Sequence, residues 1–105
     1  MAITQAMSTL FKKDVLLGDH HLDTDVIMIA LYTSSASLGA ATDGYITSGQ
    51  VANGNGYTTG GVALASKAVT EDTNSASTTA GSGIFDAADP EWTSATFTAR
   101  GALIY

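Results

Sequence analysis

Trp92-Thr93-Ser94-Ala95-Thr96-Phe97-Thr98-Ala99-Arg100-Gly101-Ala102-Leu103-Ile104-Tyr105 is the stretch on which the fold turns. From Thr96 onward, period-2 alternation places Phe97 and Ala99 on one face and Thr96 and Thr98 on the other. A nearly unbroken apolar run, Ala102 to Tyr105, follows. β-branched and aromatic residues at this density read as a strand. A run that is apolar on both faces is expected in the middle of a sheet or under cover. The stretch is therefore expected to lie centrally in a small sheet, with Trp92 anchoring its start.

Its natural neighbour is Val26-Ile27-Met28-Ile29-Ala30-Leu31-Tyr32-Thr33, the strongest strand signal in the first half and also apolar on both faces. Upstream, residues 4–17 form the one clear helical pattern. Met7, Leu10, Phe11 and Val15 or Leu17 recur at spacings of three and four. Thr4 or Ser8 is a candidate cap, Lys12 and Lys13 sit in the later turns, and Gly18 supplies a stop. The helix is expected to lie against one face of the sheet.

Ser34 to Gly44 is a loop, with a turn at Asp43-Gly44. Tyr45-Ile46-Thr47 is a candidate short strand. Asn53 to Gly61 is dense with turn formers. Val62 to Ala65 and Ala68-Val69 read as a half-exposed strand. A hairpin turn near Asp72 to Ser75 allows Ser77 to Ala80 to pair back, and Ile84-Phe85-Asp86 is a short apolar strand. Pro90 bends the chain into Trp92. Strands follow one another without helices between them, which predicts antiparallel pairing. The expected class is α+β: mainly antiparallel β, a small sandwich or rolled sheet, with one N-terminal amphipathic helix packed on it. The chain of 105 residues is expected to be one β-rich domain, residues 1–105.

Composition narrows function by exclusion. Charged residues make up 13%, about half the usual share, so Ser, Thr, Asn and Gly must form much of the surface. Such a surface sets up little repulsion against neighbours and suits a protein packed into an assembly. The net charge is −6, with Lys12, Lys13, Lys67 and Arg100 as the cations. Four scattered cations build no basic face, so no nucleic-acid partner is expected. There is no cysteine, hence no thiolate chemistry. No apolar run approaches the roughly 18 residues of a membrane span, and no membrane partner or secretion signal is expected.

The chemical candidates are weak. No G-x-S-x-G elbow occurs, and the glycines at 54, 56, 60 and 61 lack the helix of a dinucleotide site. His20, His21, Asp23 and Asp25 form the best metal-like cluster. Their spacing matches neither H-E-x-x-H nor an EF-hand loop, and a solvated turn is the expected reading. One imidazole could interact with the helix C-terminus. Asp86, Asp89 and Glu91 around Pro90 suggest paired carboxylates beside an aromatic, but read as a solvated bend. No catalytic residue, metal ligand or cofactor is expected.

Several blocks resemble small virion proteins of tailed bacteriophages. They are Met-Ala-Ile-Thr-Gln-Ala-Met with Leu10-Phe11-Lys12-Lys13; Ile29 to Ala36 with Leu38-Gly39-Ala40; Gly56 to Gly61; and, most closely, Trp92 to Tyr105. They follow the family's order and cover most of the chain. Asp72 to Ser82 is longer than usual, and relatives tend to continue a little beyond the position of Tyr105.

The resemblance implies a non-enzymatic structural component, made in the host cytoplasm and carried in the virion. A capsid decoration (cement) protein is expected, contacting the major capsid protein or other virion subunits. It is expected to be a homo-oligomer, usually a trimer, assembling through loops and unpaired strand edges. A tail or head–tail component (tube, connector or fibre-base subunit) is the alternative. A carbohydrate-binding module using Trp92, Tyr45 and Tyr57 is the second. Arg100 is expected to pair with Asp86, Asp89 or a carboxylate of a neighbouring subunit. The functional surface is expected in residues 34–44, 52–61 and 71–83.

Overall fold

β1, Met28–Tyr32, is the centre of the molecule. The computed structural model describes residues 3–73 and 81–105. The remaining elements are α1 (Thr9–Leu17), β2 (Val62–Ala63), β3 (Ala68–Asp72), β4 (Ser82–Asp86) and β5 (Gly101–Ile104). One sheet has the order β2-β1-β5; β3 and β4 form a separate two-stranded ribbon. All pairings are antiparallel. The α+β, mainly antiparallel class expected from sequence is the class observed.

β1 is central because its backbone is engaged on both sides. On one side Ile29 faces Ile104 and Tyr32 faces Gly101, with reciprocal bonds between Met28 and Tyr105 (2.6 and 2.9 Å). On the other, Met28 faces Ala63 and Ile29 faces Val62. Beyond β2, the Val51 N–H donates to Leu31 O (3.0 Å) and the Thr33 N–H to Gly49 O (2.8 Å). A side chain fills the remaining gap: the Leu31 N–H donates to the Tyr57 hydroxyl at 3.0 Å.

Ala30 and Tyr32 are wholly buried and pack with Ala36 and Leu38, flanked by Ile3, Ile46, Leu103 and Tyr105. Ile3 is held there by a parallel bridge to Leu38, and the Thr4 N–H donates to Leu38 O. Gly61 lets the chain pass close over β1. Its φ is +80°, and a Cβ there would collide with the Ile29 carbonyl.

Four placements differ from the sequence expectation. First, β5 pairs with β1 as expected but is the edge of its sheet, and the ladder covers only Gly101–Ile104. Residues 92–100 form no strand. Thr93 and Ser94 turn, with Ser94 at φ +53°, and the segment docks on residues 55–57 instead. Of the expected alternation, Phe97 is half-buried between exposed Thr96 and Thr98, but Ala99, expected on the Phe97 face, is exposed. Second, the helix starts at Thr9, not Thr4. Ser8 caps it, accepting from the Phe11 N–H, and Gly18 ends it in a left-handed conformation. It buries no residue fully and touches no strand among the described residues; its first amide donates to Ala40 O. It therefore leans on a loop and does not cover the sheet.

Third, Tyr45–Thr47 is not a strand. The Ile46 carbonyl is engaged by the Tyr32 hydroxyl at 2.6 Å, a side-chain tie in place of a ladder. Fourth, the single strand expected over Val62 to Val69 is two strands in two sheets, separated by Ser66 at φ +53°. Ile84–Asp86 is in β4 as expected. Ser77 to Ala80, and Asn74 and Ser75 of the turn expected near Asp72 to Ser75, lie outside the described residues.

The outline is elongated. Extents are 45 × 30 × 25 Å and the radius of gyration is 15.4 Å, against about 13 Å for a compact chain of this length.

Candidate interaction surfaces

Four tyrosines tie the loops to β1 and so decide which surfaces are left free. Tyr32 and Tyr57 are buried, Tyr105 packs against the core, Tyr45 is exposed and lies on Tyr105, and each hydroxyl meets a backbone or amide partner. The Tyr32 hydroxyl donates to Ile46 O, and the Tyr105 hydroxyl to Gly60 O (2.7 Å). Gln50 Nε2 donates to the Tyr57 hydroxyl (2.6 Å), and Gln50 Oε1 accepts from the Tyr45 hydroxyl (2.8 Å). Tyr45 stacks on Tyr105 with ring centroids 4.6 Å apart. Burial, with neighbouring Tyr45 adding to it, pushes the Tyr32 hydroxyl up to about 12. Burial also raises Tyr105. Both act as neutral structural donors, not as acids.

Tyr57 reaches the core because the turn before it is tight. Gly54 and Tyr57 exchange two backbone hydrogen bonds (2.7 and 3.0 Å) around Asn55 and Gly56. Both central residues have positive φ, 54° and 93°, as a type I′ hairpin turn requires. The Thr96 N–H donates to Asn55 O (2.8 Å), and a Cβ on Gly56 would lie 2.7 Å from Ala95 Cα. The turn thus receives the 92–97 segment closely. Phe97 meets the Tyr57 ring edge-on at 5.6 Å, and Trp92 lies stacked at 6.3 Å.

Two of the expected functional loops are each anchored in the core by a few residues and leave most of their length exposed. Residues 34–44 bury Ala36 and Leu38, and residues 52–61 bury Tyr57. The first also lines a shallow groove of about 510 Å³ between Thr4, Ser37–Asp43 and Ile46. In the third, 71–83, residues 74–80 lie outside the described residues, and its flanks end the ribbon.

The aromatic set expected of a sugar-binding surface does not assemble. Tyr57 is 2% exposed, Tyr45 is stacked on Tyr105, and Trp92 is half-buried with its indole Nε1 enclosed and unpartnered. Tyr57 is a core residue, not an exposed platform.

His20, His21, Asp23 and Asp25 form a structured turn after α1. The Asp25 carboxylate accepts from the His21 N–H (2.9 Å). The His20 ring stacks on Phe11 at 5.1 Å, with Nε2 3.8 Å from Asp14 Oδ2. His20 thus lies beside the end of the helix. No group of three or more His, Asp or Glu side chains converges among the described residues. Asp86 closes β4 and accepts from the Ala87 N–H (2.9 Å); Asp89 and Glu91 are exposed. The pairing expected for Arg100 inside the chain is not observed. Among the described residues no carboxylate lies within 4.0 Å of it, and its backbone N–H donates to Tyr32 O (2.7 Å).

Three surfaces remain open. α1 and the connector expose Val15, Leu16, Leu17 and Val26, with Leu16 at 89%. The β3–β4 ribbon exposes Val69 (54%) and Ile84, and no other element packs on it among the described residues. Its recorded tie at the base is the Ala88 N–H to Ala65 O (2.8 Å). Among the described residues β5 leaves one edge unpaired, with Ile104 at 57% exposure. Sequence patterning marked Ala68-Val69 as half-exposed and singled out none of the others. A valine or isoleucine in a strand pattern signals burial, and nothing in the pattern marks whether the covering layer is in the same chain. No helix among the described residues is long and apolar enough to cross a membrane. No family model, curated protein or solved structure matches the chain.

Proposed function

We propose that the chain is a non-enzymatic structural component of a tailed-phage particle, a decoration (cement) protein that bridges neighbouring subunits of the major capsid protein. The sequence blocks that resemble virion proteins supply the class. The observation that carries the contact role is the β3–β4 ribbon. An isolated two-stranded ribbon is marginal in water unless something packs on it. This one holds Val69, opposite Phe85, on one face and Ile84, opposite Thr70, on the other, both exposed, and no other element packs on it among the described residues. A neighbouring subunit supplies the missing layer on the Val69 face. The low share of charged residues supports close packing of that kind, since few ions need to be desolvated.

Purified particles carrying this protein test the proposal. Quantifying it against the major capsid protein should give comparable copy numbers, with density spread over the head lattice. A small fixed number of copies stacked as rings in the tail would assign it to a tube or connector. Its absence from the particle would overturn the structural role altogether.

A further inference from the structure

The unpaired edge of β5 is built to accept a second copy of itself. The reciprocal Met28–Tyr105 bonds fix the parity of the β1–β5 ladder. Residues 101, 103 and 105 therefore direct their N–H and C=O groups toward β1, through Tyr32, Ala30 and Met28. Ala102 and Ile104 direct theirs outward. β5 ends the sheet order, and among the described residues these groups have no hydrogen-bond partner.

Natural edges are usually blunted by a Lys, a Pro, an inward charge or a bulge. Gly101 to Tyr105 contains no charged residue and no proline, and the bulge-like step, with Gly101 facing Tyr32 while the Arg100 N–H donates to Tyr32 O, lies before the outward groups of Ala102 and Ile104. The opposite edge, β2, is only two residues long and offers much less ladder.

We infer that two copies pair antiparallel through β5, about a two-fold axis at Leu103. Three features suit a second copy. The outward groups sit two residues apart, so turning the strand end over end places Ala102 opposite Ile104 of the second copy, and Ile104 opposite its Ala102. Each pair then exchanges two hydrogen bonds, four in all, and no outward donor or acceptor in that run is left over. Side-chain size matches as well, with each exposed Ile104 set against an alanine. Finally, the contact is uncharged, so a chain of net charge −6 meets its copy where it carries no local repulsion. The result is a continuous six-stranded antiparallel sheet, closed by its two-fold axis. The pairing stands independently of any role in a virion, and it leaves the β3–β4 ribbon free. The contact is short, so the dimer is weak and populated at high protein concentration.

Hydrogen exchange on the full chain, run as a concentration series beside sedimentation equilibrium, tests this. Amides 103 and 105 should be protected at every concentration, because β1 holds them. Amides 102 and 104 should exchange freely when dilute and become protected as the dimer fills. Ala102→Pro removes a donor that the protomer does not use, so circular dichroism should be unchanged. Self-association should weaken at least about tenfold, through loss of two of the four bonds. A protein that stays monomeric up to millimolar concentration overturns the inference. So does a dimer in which amides 102 and 104 remain unprotected.

Discussion

β1 and the β3–β4 ribbon have similar strand lengths and opposite energetics. β1 is engaged on both edges and has two of its side chains wholly buried. Every loop that crosses it is tied down, by Gly49, Val51, Tyr57 or Leu64. Among the described residues the ribbon has one ladder, two open edges and apolar side chains in solvent. A strand set becomes stable here by being surrounded, not by its own propensity. Where the chain supplies the surroundings, a core results. Where it does not, the same kind of sequence makes a surface that a partner can cover.

That contrast is easiest to break at Tyr32. Tyr32→Ala removes a buried ring from the centre of the cluster and should cost about 3–5 kcal/mol, read from urea unfolding. A loss below about 1 kcal/mol would mean that β1 is not the stabilising centre.

The same residue makes a pH prediction of smaller size. Burial raises the Tyr32 hydroxyl from 10.0 to about 12, so the folded state favours the neutral form. Its contribution is present in full below pH 10 and is lost as the pH rises toward 12. The loss should be on the order of 2 kcal/mol. Stability measured between pH 9 and 12 should fall more steeply in the native protein than in Tyr32→Phe. Equal slopes would remove burial of the hydroxyl from the account.

Tyr57→Phe should cost about 1–2 kcal/mol, because the Leu31 N–H loses its acceptor in the gap beside β2. Exchange at the Leu31 amide should rise with it; an unchanged rate would mean that another group holds that amide.

The smallest expected effect lies in the ribbon. Val69→Thr should change stability by no more than about 0.5 kcal/mol, since its side chain is mostly in water. It should nevertheless weaken attachment to the particle. A large loss of stability in the free protein would show that the ribbon is part of the core after all.

Much of the β1 half was legible in the sequence. Eight consecutive residues suited to a two-faced strand, Val26–Thr33, do contain the centre of the sheet, and the C-terminal run is its partner. Ser8 and Gly18 mark the helix ends as their chemistry requires. What misled was the step from pattern to place. Alternation at Thr96–Ala99 reads as one covered side, yet only Phe97 is covered, by Tyr57 and without a ladder, while Ala99 is exposed. The apolar run at Ala102–Tyr105 reads as central, yet Ile104 faces solvent on an edge strand. The helical stripe fixes a face but not what it faces.

Tyr57 was the costliest omission among the surface expectations. A Gly- and Asn-rich segment reads as solvated loop, and its one aromatic is the core residue that the Asn55-Gly56 turn delivers. The signal was there: an aromatic immediately after an Asn-Gly pair is positioned by a rigid turn. Ala102 and Ile104 could not be singled out in the same way. Which backbone groups face outward depends on the register with β1, and pattern alone does not give the register.

The central claim is that the β1 sheet is finished within the chain, while the ribbon is finished by a capsid neighbour. Imaging of the particle at side-chain resolution tests it most directly. Val69 should lie buried against a major-capsid subunit, with the β1 core unchanged from the free protein. A particle in which the ribbon stays in solvent while another surface makes the contact would contradict the account.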